Sequence, residues 1–229
     1  MEIPALRRRR GALIRFRKKE KEMPNQEKEE RRSSSPQSSS KLTWELLYLA
    51  YVQGLFPMDN EGEVSWYSPD PRAILEWDSF HIPQTLKGVL RKNPFEIRQN
   101  TAFKAVMQAC QASRQRTWIS NEFITAYTDL HQQGFAHSVE AWKNNELVGG
   151  LYGVSIGAAF MGESMFHKTP EASKVCLVHL VEHLKVRHYE LLDIQFMTDN
   201  LRRFGATEIP KSHFLKRLKK AIKKTCSFI

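Results

Sequence analysis

The run LLDIQF at residues 191–196 sets an acid and an amide, Asp193 and Gln195, into an otherwise apolar hexapeptide. On an extended chain successive side chains alternate between faces, so these two point one way while Leu192, Ile194 and Phe196 point the other. A carboxylate and an amide buried without partners cost free energy. The run therefore reads as a core strand carrying either a structural hydrogen-bond network or a working site, and the residues of the run leave both open.

Outward from that strand the pattern is regular. Immediately upstream, Val175, Val178, Val181 and Leu184 recur at helical spacing, which predicts an amphipathic helix from Glu171 to Val186. Before it, AHSVEAW (136–142), a KNN turn, ELVGGLYGV (146–154) and AAFMGE (158–163) predict an antiparallel meander. A helix near 199–203 and a basic helix over 211–224 follow the strand. The amino-terminal half differs. Thr43 caps a helix that Gly54 stops, and residues 54–77 read as a proline-stiffened loop region. Pro83 starts a helix ending near Asn93, FEIR is a short strand, Thr101 caps a third helix, and Asn121 starts a fourth. The expected class is α/β (α+β): a mixed sheet with packed helices over 101–229, preceded by a smaller, mainly helical lobe over 42–100.

The 229 residues carry a net charge of +10, of which +7 lies in residues 1–41. That segment is nearly free of apolar residues from 17 onward and ends in a Ser/Pro run, so residues 1–41 are expected to be a disordered basic tail and linker. Its first part, LRRRRGALIRFRKK (6–19), reads as a solvated or RNA-touching tail, with an organellar transit segment as the alternative. Met23 is an alternative start. Three cysteines without metal or disulfide spacing fit a reducing cytosol. No stretch approaches the roughly 18 apolar residues of a membrane span, and the start lacks the apolar core of a secretory signal.

Glu163 closes an apolar strand behind Gly162, and with Asp193 and Gln195 it makes three polar groups converging on one sheet. The basic helix KSHFLKRLKKAIKKT (211–225) presents lysines on one face, either to solvent or to phosphates. His179, Glu182 and His183 of HLVEH match H-x-x-E-H, the inverted zinc-peptidase pattern, but no suitable helical carboxylate follows as third ligand. No dinucleotide fingerprint, Walker loop or G-x-S-x-G elbow is present. The glycines of LVGGLYG (147–153) lie mid-meander and suit close backbone packing or a ligand beside the strand.

A set of motifs occurs in order along the chain: AYVQGLFPM (50–58), WYSPDPRAIL (66–75), TWI (117–119), AYTDLHQQGFAHSVEAW (126–142), LVGGLYGV (147–154), GESMF (162–166), ASK (172–174), LLDIQF and FGATEIP (204–210). Over about residues 42–222 the sequence resembles the leucyl/phenylalanyl-tRNA–protein transferase family. That resemblance implies an N-acetyltransferase-like catalytic half. The implied activity moves leucine or phenylalanine from aminoacyl-tRNA to the amino terminus of acceptor proteins beginning with Arg or Lys, marking them for N-end rule degradation. It implies a cytoplasmic monomer that needs no membrane, metal or diffusible cofactor. By the same resemblance Asp193 polarises Gln195 or accepts a proton, Gln195 orients the attacking amine, and Glu163 holds or places the acceptor. Leu151, Phe160, Met165, Leu180, Leu184 and Leu192 surround the donor side chain, Trp118 lies against the terminal adenosine, and Lys87, Arg91 and Lys92 face the acceptor stem. The chain departs from the family at Gln84 and Gly88 on that basic helix, at Met58, at Arg187 and His188, at Asn200, and at Lys211. Those departures, with the basic ends, motivate a non-catalytic tRNA-binding descendant as the alternative, beside the zinc peptidase.

Overall fold

The protein is described from a computed structural model, over residues 41–229. The tail, the linker and the transit-segment alternative lie outside the described residues.

A seven-stranded sheet organises the chain. In chain order the strands are β1 (Phe56–Asn60), β2 (Glu63–Tyr67), β3 (Arg72–Leu75), β4 (Glu96–Gln99), β5 (Ala136–Lys143), β6 (Glu146–Ile156), β7 (Ala159–His167), β8 (Leu191–Gln195) and β9 (Thr207–Ile209). The sheet runs β4-β5-β6-β7-β8-β3-β9, and β1 with β2 forms a separate hairpin. Every pairing is antiparallel except β7 with β8, which lie parallel with Phe160 beside Leu192 and Met161 beside Asp193. Parallel neighbours need a crossover, and helix α5 (Ala172–Val186) supplies it.

The other helices are α1 (Trp44–Tyr51), α2 (Gln84–Lys92), α3 (Phe103–Ala112), α4 (Asn121–Gln132), α6 (Asp199–Arg202) and α7 (Lys211–Ala221). Thr43 caps α1 by accepting from the Leu46 amide, as its position predicts. The Thr101 expectation fails. The Ncap of α3 is Ala102, and Thr101 Oγ1 donates instead to Glu140, whose carboxylate also accepts the Ala102 amide at 2.9 Å. A carboxylate from β5 therefore holds the two residues that lead into α3, which has no side-chain cap. The buried Glu140 carboxylate also accepts from Ser138 and Trp142.

The core divides at the sheet. Leu47, Tyr51, Val106, Met107, Phe123 and Tyr127 from α1, α3 and α4 pack on one face with Tyr152 and Met161. Val178, Leu180, Val181 and Leu184 from α5 pack on the other with Leu151, Phe160 and Leu192.

Residues 42–100 are not mainly helical. They contribute α1 and α2 but also four strands, and the sheet crosses the boundary expected at residue 100, because β3 lies between β8 and β9 and β4 pairs with β5. The described residues, 41–229, fall in a single unit. The sequence hid this because RAIL, only four residues long and entirely buried, has neither the length nor the alternation that marks a strand on its own. Its partners across the sheet make it one.

Candidate active site

Two bulges build the site. Between β6 and β7, Tyr152 faces Ser164 and Gly153 faces Gly162, so Glu163 has no partner across the strand. Between β3 and β8, Ile74 faces Asp193 and Ala73 faces Gln195, which leaves Ile194 as the extra residue. A bulge adds local twist and re-aims its side chains. Here the two bulges turn Glu163 and Gln195 toward each other, and Gln195 Nε2 donates to Glu163 Oε1 at 2.7 Å.

Gln195 adopts φ +66°, a left-handed conformation that costs a non-glycine residue. Its own amide, donating to Asp193 Oδ1 at 2.9 Å, helps hold it there. Asp193 in turn is gripped by Arg72, Nε to Oδ1 at 2.8 Å and Nη2 to Oδ2 at 2.6 Å, with both side chains at most 1% exposed. The guanidinium lies between the rings of Phe56 and Phe214, 4.7 and 4.4 Å from their centroids, and its Nη1 donates to the Gly54 carbonyl at 3.3 Å. The burial of Asp193 is thus offset by a bidentate ion pair. Asp193 reaches Gln195 through the backbone amide, whereas the family resemblance implied contact with the side chain.

Because the Gln195 nitrogen donates to Glu163, its Oε1 is left as an acceptor, and no described residue donates to it. Glu163 also accepts from Tyr127 at 3.4 Å, and the Tyr127 and Tyr51 hydroxyls share a hydrogen bond of 2.5 Å. The Glu163 residue is partly open to the cleft, but packing around its carboxyl dominates. Burial pushes it up to about 8, with Asp193 adding to the rise and Tyr51, Arg72 and Tyr127 opposing it. Burial and the charge of Glu163 also lift Tyr51, Tyr127 and Tyr152 well above the ordinary phenol value, so all three stay protonated donors at neutral pH.

Glu163 and Gln195 open onto a cleft of about 480 Å³ whose depth is apolar, walled by Leu151, Met165, Leu177, Leu180, Leu192 and Ile194. Met58, Arg114, Trp118 and Phe196 also line it, and Glu163 is the only acid among the described residues that do.

Two family models cover most of the described chain. Leucyl/phenylalanyl-tRNA protein transferase matches residues 74–219, and the N-terminal domain of the same transferase matches residues 40–70. The chain belongs to this family. A leucyl/phenylalanyl-tRNA–protein transferase of Herpetosiphon aurantiacus is 50% identical over 191 residues, covering 83% of this chain and all of its own length. The one from Rubrobacter xylanophilus is 52% identical over 185 residues, 80% of this chain and 96% of its own. Among solved structures, a ribosomal-protein-alanine N-acetyltransferase of Brucella melitensis biovar Abortus 2308 aligns with 48% of this chain and 86% of its own at TM-score 0.35 and 13% identity. That score is too low to say anything of the fold.

Of the site residues expected from the sequence, Trp118, Leu151, Met165, Leu180, Leu192, Glu163 and Gln195 line the cleft together. Asp193, Phe160 and Leu184 do not line it. Asp193 is turned to Arg72. Phe160 is wholly buried between Gly153, where an added Cβ would collide with its ring, and Phe228, 5.6 Å away centroid to centroid. Leu184 lies one turn beyond Leu180 along α5 and is packed in the core, whereas Leu177, at the other side of Leu180, faces the cleft. The spacing placed Leu180 and Leu184 on one face of the helix but could not say how far the cleft extends along it.

Gly162 is not needed for close approach within the chain, since a Cβ there would meet only the Asp193 carbonyl, at 3.6 Å. Lys87, Arg91 and Lys92 are exposed on α2, pair with no acid among the described residues and stand apart from the cleft lining. In HLVEH, His179 and Glu182 are exposed and His183 Nε2 is bonded to the Phe228 carbonyl at 2.7 Å. No group of three or more His, Cys, Asp or Glu among the described residues is placed to hold a metal ion. The zinc-peptidase ligand set is therefore not assembled. Among the residues that sequence reasoning missed, Arg72 left the clearest trace: a lone cation opening an apolar strand calls for a buried acid, and Asp193 was the lone acid in another. Tyr51 and Tyr127 read simply as members of apolar helix faces.

Proposed function

We propose that this chain transfers leucine or phenylalanine, with methionine as a further donor, from aminoacyl-tRNA to the α-amine of proteins that begin with Arg or Lys. The observation that carries the reading is the 2.7 Å hydrogen bond between Gln195 and Glu163 at the edge of an apolar cleft. On this reading the donor side chain enters the Leu151–Leu180–Leu192 depth and Trp118 stacks on the terminal adenosine. The acceptor amine donates to Gln195 Oε1, and its nitrogen attacks the ester carbonyl carbon. A C–N bond forms, the ester C–O bond breaks, the amine gives up a proton and the departing ribose oxygen gains one.

Glu163, its carboxyl pushed up to about 8 by burial, is poised to exchange that proton. Asp193 and Arg72 act by positioning, fixing the strained backbone of Gln195. Holding amine and ester together contributes much of the acceleration. The N-acetyltransferase-like description of the mixed sheet, a monomeric cytoplasmic enzyme feeding N-end rule degradation, and acceptor-stem contacts through Lys87, Arg91 and Lys92 complete the proposal. Among the described residues no helix is long and apolar enough to cross a membrane.

The test is direct. Purified protein is incubated with labelled Leu-, Phe- and Met-tRNA and with peptides differing only in their first residue. Label is expected on Arg- and Lys-initiated peptides and absent from Ala- or Glu-initiated ones. Intact protein that binds tRNA but labels no peptide would favour the non-catalytic descendant.

A further inference from the structure

Two hydrogen-bonding groups on the cleft wall are left over by the chemistry above. Arg114 lies on the segment between α3 and α4, four residues before Trp118, and lines the cleft. Its Nη2 donates to Ser164 Oγ at 3.3 Å, a long bond to a neutral partner, and it pairs with no acid among the described residues. A guanidinium carries five N–H donors, so most of its capacity is unspent. Tyr152 lines the same cleft, within the field of Glu163 and, more weakly, of the Arg114 charge. The residue is fully buried and its hydroxyl has no hydrogen-bond partner among the described residues. An orphaned buried hydroxyl is unfavourable unless a ligand completes it. A cation with no acid partner and a phenol with no hydrogen-bond partner, among the described residues, line one cleft.

We propose that Arg114 and Tyr152 form an anion seat for the phosphate on the 5′ side of the donor's terminal adenosine. This rests on the transferase reading, in which the acceptor end is cationic and the anion entering the cleft belongs to the donor. Guanidinium matches phosphate geometry in a way that a single ammonium does not. Arg114 and Trp118 share one short segment, so a base stacked on Trp118 and the phosphate of the same nucleotide are read together. The seat gives the enzyme a grip on the nucleotide that is independent of the amino acid and of the tRNA body.

The experiment compares three leucyl donors: 3′-leucyl-adenosine, the same compound with a 5′-monophosphate, and Leu-tRNA. The wild type is expected to prefer the monophosphate over the bare nucleoside. Arg114→Gln should lose about 10- to 100-fold in kcat/KM on both phosphate-bearing donors, the worth of charge-assisted hydrogen bonding, and change the nucleoside by less than about two-fold. Tyr152→Phe should lose about 3- to 10-fold in the same pattern. Its hydroxyl bonds to nothing among the described residues, so a merely structural role predicts no loss. Arg116→Gln, an exposed neighbour outside the cleft lining, should leave the donor preference intact.

Equal losses on nucleoside and nucleotide would overturn the seat, as would a wild type indifferent to the phosphate or an Arg116→Gln effect as large as that of Arg114→Gln. A raised KM for the acceptor peptide, in place of the donor effect, would assign the seat to an acidic acceptor residue and overturn it equally. Wild-type protein that transfers from none of the three donors would instead overturn the transferase reading beneath it.

Discussion

Glu163 carries a proton up to about 8 in the folded protein, whereas a free glutamate gives it up near 4.5. The folded state therefore binds more protons across that window, so the contribution of Glu163 to stability is complete below about 4.5 and is lost as pH rises through about 8. Glu163→Gln removes this dependence. The Tm of the variant minus that of the wild type should climb between those two pH values and level off outside them, as a thermal melt at successive pH values would show. The same substitution should lower kcat about 100-fold and flatten the part of the pH–rate profile that belongs to the enzyme. A single acceptor peptide used for both proteins keeps the titration of its amine common to the two. Arg72 and Asp193 pose a different question at this scale. Arg72→Ala leaves a buried carboxylate unpaired and should cost about 3–5 kcal/mol in urea unfolding. Arg72→Met combined with Asp193→Leu should be more stable than Arg72→Met alone, yet still fail in transfer, because the anchor of the Gln195 backbone is gone. If the double variant kept full activity, the positioning role of the pair would be wrong.

At the level of elements, the two bulges convert ordinary strands into a site. Strict alternation would place Asp193 and Gln195 on one face, but the extra Ile194 shifts the register by one residue, so Asp193 lies opposite Ile74 while Gln195 lies opposite Ala73 and reaches Glu163. The neighbouring glycines separate packing from function. Gly153 lies where an added Cβ would collide with both the Met161 carbonyl oxygen and the Phe160 ring, and a backbone atom in the middle of a sheet cannot retreat. Gly153→Ala should destabilise the protein by about 1–3 kcal/mol, whereas Gly162→Ala should fall within about 0.5 kcal/mol of the wild type, both measured by denaturant midpoint. A Gly162→Ala protein that folds normally but transfers poorly would place the substrate against that backbone.

Across the whole molecule, the cleft and the basic helix are separate surfaces. The cleft is assembled from β6, β7, β8, α5 and the segment before α4, while Lys87, Arg91 and Lys92 project from α2 without ion pairs among the described residues. Replacing all three by Gln should weaken tRNA binding and reduce the slope of log K against log salt by about 2–3, near 0.9 for each phosphate that is no longer neutralised. Transfer from 3′-leucyl-adenosine, which has no stem to hold, should be unchanged. A salt titration of tRNA affinity beside that minimal-donor assay checks both halves, and an unchanged slope would move the stem-binding role elsewhere, with α7 and its four lysines the next candidate.

The sequence by itself determined the meander, the crossover helix and the core strand after it, because alternation and helical periodicity are local patterns written within one segment. It also determined the family, through motifs in a fixed order. The tertiary structure alone decided that RAIL is an inner strand, that Phe160 and Leu184 are core while Leu177 faces the cleft, and that Asp193 answers to a cation 121 residues away. Those facts depend on which segments meet. Bulges, ion pairs and cavity walls arise between strands and helices far apart in the chain, where no periodicity within either one records the other.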